Sequence, residues 1–304
     1  MKKILVTGSE GFIGQKLCQF YKKKNYQIFG SFYKKKIKKI SGVKYIKCNF
    51  KYKKDIDNLL KKIKPDYIFH LAAKSHPTYS FYNPISTIQT NFNGTSYLLN
   101  SIIRQKFNPK IIIAGSSAQF GVKKRNELPV KENSHCNPEH VYGFTKRLQV
   151  MLGELYYKMY GMNVCSAIIF NTSGYGKKFD VFQDFCSQYK KNKKKKNIIL
   201  RVGNLENQRD FLHVDDVILA LDKIRSKGKS GKSYVISSGK LIKIKKIIDN
   251  LSKITKKFFL IKSDKNLFRS FDEKIILGNN SNIKKLGWKP RKNISKIIKD
   301  IINA

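Results

Sequence analysis

Three glycines at positions 8, 11 and 14 constrain this chain more than any other feature. They lie in VTGSEGFIGQKL, directly after the apolar run ILVT and at the opening of a helical pattern. A strand that ends in GxxGxxG and runs into a helix uses its glycines for three things: a tight turn, close backbone approach to a pyrophosphate, and close helix–strand packing. The free N–H groups of the helix start then favour an anion. An ordinary strand–helix turn would not require all three. The segment therefore predicts a dinucleotide seat formed by Gly8, Gly11, Phe12, Ile13 and Gly14.

The order of strands and helices sets the fold class. Strand-like runs at 4–8, 26–32, 43–48, 67–72, 110–116 and 163–170 alternate with helical patterns near 12–24, 55–63, 84–105 and 141–160. Such alternation predicts an α/β fold, a doubly wound parallel sheet of the Rossmann type covered on both faces. After Asn171 the character changes. A Gly-rich turn (SGYG) leads to a helix over 179–190, a solvated lysine run at 190–197, the strand IILRV and shorter mixed elements. The chain shows no internal repeat and no linker rich in Pro or Ser, so the second region is expected to pack closely on the first.

Composition narrows the function classes. The net charge of +43 invites a nucleic-acid role, yet only eight of the 63 basic residues are arginine, the preferred group for bidentate phosphate and base contacts. The lysines are spread through every segment beside an excess of Ile and Asn, so no specific nucleic-acid partner is expected. No run of eighteen apolar residues predicts a membrane span. MKKILVTG lacks the apolar core of a signal peptide. The five cysteines show no CxxC spacing, which reads as free thiols in a reducing cytoplasm and no metal site.

The second strand runs into FGSFYKKK, with Gly30 and Ser31 where a ribose-binding acid would stand and Lys34–Lys36 beyond. Without a carboxylate, and with cations, the cofactor expected is NADP(H) in preference to NAD(H). Ser31 and Lys34 are candidate contacts, as are Asn49 and Phe50 in KCNF and the small-residue segment Leu71, Ala72 and Ala73.

The strongest chemical signal is Tyr142-Gly-Phe-Thr-Lys146. Residues four apart share a helix face, and an ammonium beside a phenol favours the phenolate and lowers its pKa from near 10. Ser116, ending a strand in IIIAGSSAQFG, supplies a hydroxyl for the substrate oxygen that Tyr142 protonates, with Thr145 or Ser117 as helpers. His70 is read as satisfying a backbone group near the cofactor and His213 as structural.

TGSEGFIG, HLAA, Asn91 in NFNGT, GSSAQFG, YGFTK and RDFLHVDD occur in an order and spacing that resemble the extended short-chain dehydrogenase/reductases of the NAD-dependent epimerase/dehydratase family. The match covers nearly the whole chain. Within that family, VGNLENQRDFLHVDD and FRSFDEKIILGNNSNIKKLGWKP look most like the GDP-mannose 4,6-dehydratase and GDP-4-dehydro-6-deoxy-mannose reductase group. The resemblance implies a cofactor domain over 1–170 and a smaller nucleotide-sugar domain mainly over 171–304, with parts of 210–240 returning to the first. It also implies a homodimer built on helices 84–105 and 141–160. By the same resemblance Asn91 joins Tyr142 and Lys146 at the cofactor. Ser117, Asn171, Val181, Gln183, Val202, Asn204, Leu205, Arg209 and Arg269 fall at the nucleotide sugar, with the two arginines on a GDP-sugar diphosphate.

The chain departs from the family pattern at Thr172, Tyr175 and Phe120, which leaves the sugar open. Dehydratases of this superfamily carry a Glu two residues after the position of Ser116, where Ala118 stands here. The expected reaction is therefore reduction of the 4-keto group of a GDP-6-deoxy-hexulose. Dehydration or epimerisation of a nucleotide sugar is the nearest alternative, and a non-catalytic dinucleotide-sensing regulator a distant one.

Overall fold

The computed structural model describes residues 1–33, 39–268 and 274–304. The first half of the chain forms β1 (Lys3–Thr7), α1 (Phe12–Lys22), β2 (Gln27–Phe32), β3 (Val43–Lys47), α2 (Lys53–Ile63), β4 (Tyr67–His70), α3 (Pro77–Tyr82), α4 (Pro84–Ile88), α5 (Gly94–Arg104), β5 (Lys110–Ser116), α6 (Val141–Tyr160) and β6 (Val164–Ile169). The remainder forms β7 (Asn171–Ser173), α7 (Val181–Asn192), β8 (Ile198–Val202), β9 (Gln208–His213), α8 (Val214–Lys227), β10 (Ser233–Ile236), β11 (Leu241–Lys243), α9 (Ile244–Thr255), β12 (Phe259–Ser263), β13 (Ile275–Ile276), α10 (Ser281–Lys285) and α11 (Ile294–Ile302).

Seven strands make one sheet in the order β10–β6–β5–β4–β1–β2–β3, and each neighbouring pair runs parallel. A parallel sheet covered on both faces asks for continuous apolar strands, and Ile111–Ile113 and Val164–Ile169 are buried along their length. One face packs Leu17, Cys18 and Tyr21 of α1 with Val217, Leu221 and Ile224 of α8. The other packs Ile56, Leu59 and Leu60 of α2 with Leu98, Leu99 and Ile102 of α5. A separate core joins α7, α9 and α11 to β8 through Phe182, Phe185, Leu200, Ile248, Leu251 and Ile298. Among the described residues, no helix is long and apolar enough to cross a membrane.

Three regions depart from the sequence reading. The helix expected over 84–105 is α4 and α5 joined by one π turn at Gln89–Asn93, and the strand expected over 67–72 ends at His70. Beyond His213 the chain forms α8, α9 and α11, of 14, 12 and 9 residues, where short mixed elements were expected. Their apolar faces are regular, as in Ile247, Ile248 and Leu251; lysines crowding the exposed faces hide the period.

The RDFLHVDD segment is a structural hub. Asp210 is fully buried and accepts from Ser238 N, Ser238 Oγ, Gly239 N and Gly278 N, at 2.6 to 3.4 Å. Burial raises its pKa and these four bonds pull it down in part. Asp216 Oδ2 accepts from Arg291 N and Lys292 N. His213 caps α8: its Nδ1 accepts from Asp215 N at 3.0 Å while Nε2 faces Asp300 at 2.9 Å.

Candidate active site

The glycine loop sits as its spacing requires. Gly8 has φ +64°, and a Cβ there would stand 2.8 Å from Ala72 Cα. A Cβ on Gly14 would stand 2.4 Å from Gly8 O, so α1 starts in direct contact with the turn. The loop is pinned to the end of β2, where Ser9 N and Ser9 Oγ both donate to Ser31 O at 2.9 Å. Gly30 leaves room for that contact, since a Cβ on it would meet Ser9 Oγ at 2.7 Å. Phe12 and Ile13 begin α1. Ile13 packs on the sheet core, and the Phe12 ring carries Lys177 Nζ 5.4 Å from its centroid.

Further along the same sheet, Ser116 closes β5 and caps the 3-10 turn Ser117–Gln119, its Oγ accepting from Ala118 N at 3.3 Å. Helix α6 begins against this turn: a Cβ on Gly143 would stand 2.4 Å from Ala118 O. That contact brings Tyr142 to Ser116. Contrary to the expectation that Lys146 lowers it, the Tyr142 phenol is pushed above its ordinary pKa by burial, and its hydrogen bond with Ser116, not the Lys146 ammonium, offsets this in part. Lys146 is 4% exposed, and burial draws it down to about 7. Its Nζ donates to Ala114 O at 2.6 Å and to Gln149 Oε1 at 2.8 Å. A third donor remains for a ligand.

Behind Lys146 runs a buried relay that sequence spacing does not reveal. Gln149 Nε2 donates to Thr95 Oγ1 at 2.7 Å, and Thr95 gives its single proton to Asn91 O at 2.6 Å. The 2.9 Å contact of His70 Nε2 with Thr95 Oγ1 must then carry the ring proton, leaving Nδ1 to accept from Thr7 Oγ1 at 3.0 Å. Thr7 Oγ1 in turn accepts from Leu71 N and Ala72 N. Burial and the Lys146 charge draw His70 down to about 3, so it stays neutral. His70 thus bridges two threonines; it does not satisfy a backbone group.

Other expected residues land less simply. Asn91 is wholly buried; its amide holds Lys74 N, Lys74 O and Thr145 Oγ1, so it positions the loop after β4. Thr145 is engaged between Asn91 and Tyr142 O and is no helper at the substrate. Phe50 lies in the core with its ring 5.3 Å from that of His70, and Asn49 Oδ1 closes a turn on Lys51 N. Ala72 is buried, Leu71 and Ala73 half-buried, and Ser117 is buried beside Ser116.

On the substrate side, Val202 belongs to the core around β8, as the alternation of Ile198, Leu200 and Val202 dictates. Asn204 is exposed and its Oδ1 caps Glu206 N. Val181 and Leu205 pack on the same core. Arg209 is buried on β9 and donates to Gln208 O. Lys34 and Arg269 lie outside the described residues.

Several buried polar atoms near these elements have no partner among the described residues, and such atoms call for a water, an ion or a ligand. Asn171 Nδ2 and Gln183 Oε1 were expected to meet substrate, and Ser31 Oγ to meet cofactor; Ser173 Oγ and Glu10 Oε2 join them unannounced. Glu10 corrects the sequence reading. Its Oε1 accepts from Tyr33 N at 3.0 Å, so the glycine loop brings a carboxylate to the end of β2 although the strand carries none. The crowded glycine turn, the free Lys146 donor and the unpartnered Ser31 and Glu10 atoms fit a dinucleotide.

Residues 5–301 match the family described as GDP-mannose 4,6 dehydratase. The GDP-6-deoxy-D-mannose reductase of Pseudomonas aeruginosa is 28% identical over 243 residues, 79% of this chain and 80% of its own. A GDP-mannose 4,6-dehydratase of Yersinia enterocolitica is 24% identical over 99% of this chain and 93% of its own. Among solved structures, RMD from Pseudomonas aeruginosa complexed with NADPH superposes with a TM-score of 0.85 at 24% identity, covering 100% of this chain and 98% of that one. UDP-glucose 4-epimerase of Thermus thermophilus in complex with NAD reaches 0.88 at 17% identity, over 99% and 98%. With the dinucleotide loop and the Ser116–Tyr142–Lys146 cluster in place, the chain belongs to the GDP-mannose 4,6 dehydratase family, NAD(P)-dependent nucleotide-sugar enzymes of the extended short-chain dehydrogenase/reductase type.

Proposed function

We propose that this chain reduces the 4-keto group of a GDP-4-dehydro-6-deoxy-hexose, preferring NADPH to NADH, and gives GDP-6-deoxy-mannose (GDP-rhamnose) or its C4 epimer. The observation that carries the reading is the turn beside Ser116. A 4,6-dehydratase must remove a proton from C5 and expel water from C6, which needs an acid and a base besides the tyrosine. Ser117, Ala118 and Gln119 offer none. The buried Gln119 amide has no partner among the described residues, and an amide does not exchange protons in this way. The two carboxylates that come next in the chain are engaged elsewhere. Glu127 binds Lys123 Nζ and Lys124 N, and Glu132 binds Val235 N and Asn282 Nδ2.

Ketone reduction asks less of the protein. Tyr142 donates one proton to O4, and Ser116 orients the carbonyl. Lys146, pinned by Ala114 O and Gln149, favours the phenolate left behind and turns its remaining donor to the cofactor ribose. A bound nicotinamide cofactor supplies the hydride. Asn171 and Gln183 hold the sugar nucleotide, with Arg209 and Arg269 at its diphosphate. The preference for GDP and NADPH is supported by the Pseudomonas relatives and by the lysines that come after Tyr33 in the sequence.

We place the protein in the cytoplasm as a homodimer. Phe144, Met151, Leu155 and Met159 leave an apolar stripe on α6, each 45–59% exposed, and Ile85 on α4 is 70% exposed, a surface that suits a second copy.

Purified protein given GDP-mannose should form no 4-keto-6-deoxy sugar. Given that keto sugar with NADPH, it should consume the cofactor. Appearance of the keto sugar from GDP-mannose with this protein alone would overturn the reading.

A further inference from the structure

We propose that Glu10, in the glycine loop, reads the adenosine ribose of the cofactor and sets the balance between NADH and NADPH. The inference rests on the cofactor seat used in the proposed function and deepens it.

In a dinucleotide fold, the acid that meets the ribose hydroxyls ordinarily stands at the end of the second strand. Here that strand cannot carry one at Gly30, because the pinned Ser9 side chain fills the space a Cβ would need. Glu10 reaches the place from the loop after β1, which is pinned against the end of β2 through Ser9 and Ser31. Oε1 is fixed by Tyr33 N–H at 3.0 Å, one residue beyond β2. The second oxygen, Oε2, is buried without a partner among the described residues, and so is Ser31 Oγ on the same strand end. A carboxylate oxygen only accepts, whereas a serine hydroxyl accepts and donates. Two such unpartnered atoms suit the neighbouring hydroxyls of a ribose.

A 2′-phosphate changes that balance. It removes the hydroxyl proton that Oε2 would accept and brings about two negative charges towards a carboxylate in a poorly hydrated site. The lysine run after Tyr33 favours NADPH, and Glu10 opposes it. NADH therefore remains a working cofactor beside the preferred NADPH.

The test is Glu10→Gln, whose amide oxygen keeps the bond to Tyr33 N–H while losing the charge. Dissociation constants for NADH and NADPH are read from the fluorescence of the reduced nicotinamide. The ratio Kd(NADH)/Kd(NADPH) should rise about tenfold in the variant, with a smaller rise at high salt. ADP and 2′,5′-ADP, used as competitors, should shift in the same sense, confining the effect to the adenosine end. An unchanged ratio, or equal weakening of both cofactors, would show that Glu10 merely holds Tyr33 and would end the proposal. None of these readings involves a sugar, so failure of the GDP-sugar assignment alone would leave them intact.

Discussion

Where Lys146 sits, the side chains from Thr7 through His70, Thr95 and Gln149 are tied into one another, and each bond fixes the direction of the next. Where Glu10 and Ser31 sit, each keeps a buried oxygen that no described residue meets. These regions lie along one edge of the large sheet, where β5, β4, β1 and β2 are neighbours. The first is satisfied by the fold itself, so its geometry is ready before any ligand arrives. The second offers a carboxylate oxygen and a hydroxyl that no described residue uses, which suits a bound polar group. Chemistry is thus entrusted to the rigid end and selection to the unsatisfied one.

The contrast is testable at both ends, most strongly at the first. Tyr142→Phe removes one hydroxyl and leaves the relay intact. Turnover should fall roughly a hundredfold to ten-thousandfold, with NADPH affinity nearly unchanged in a direct titration. Retention of most activity would mean that the proton comes from elsewhere.

The next effect is on stability. His70 is held at about 3 against 6.5 in an open chain. Between those values the unfolded state binds a proton that the folded state lacks, so stability must fall as the pH drops from 6.5 towards 3. The limiting slope is about 1.4 kcal/mol per pH unit. In urea unfolding across that range, His70→Gln should lack this slope and should be about 1–3 kcal/mol weaker at neutral pH, because Thr7 and Thr95 lose their bridge. An equal acid slope in both proteins would place the titration on another group. Ser31→Ala is the counterpart at the unsatisfied end. Removing a buried hydroxyl that no described residue meets should leave ligand-free stability unchanged or raise it by up to about 1–3 kcal/mol, and a loss of several kcal/mol would show that Ser31 has a structural partner.

Features that lie close along the chain are the ones a sequence makes legible. The glycine turn, the Tyr142–Lys146 pair and the Ser116 strand end depend on spacings of a few residues and on strand–helix order, and the structure places them as those spacings require. The relay joins residues 25 to 63 positions apart, and no local pattern announces such bonds. Glu10 is hidden for a related reason: the ordinary place for a ribose-binding acid is the strand end, and this carboxylate comes to that end from the neighbouring glycine loop. Val202 is expected at the substrate by resemblance but lies in the core, where the alternation of β8 buries every second residue. Asn91 is expected at the cofactor by resemblance and Thr145 as a helper from its place beside Lys146; the atoms of both are engaged in holding the loop and helix on which the site stands.

The place of β10 bears on how the molecule comes into being. Ser233–Ile236 lies against Val164–Ile169 at the edge of the large sheet, yet β7, β8, β9 and α8 intervene along the chain. A polypeptide emerging from the ribosome therefore completes β6 long before its neighbour exists, leaving an apolar strand with an open edge. Such edges invite pairing with other chains. The elements made in that interval include α8, whose Val217, Leu221 and Ile224 cover one face of the unfinished sheet. Synthesis order thus makes the second half of the chain a guardian of the first, and slowing translation between residues 170 and 233 would lengthen the period in which β6 stands unpaired.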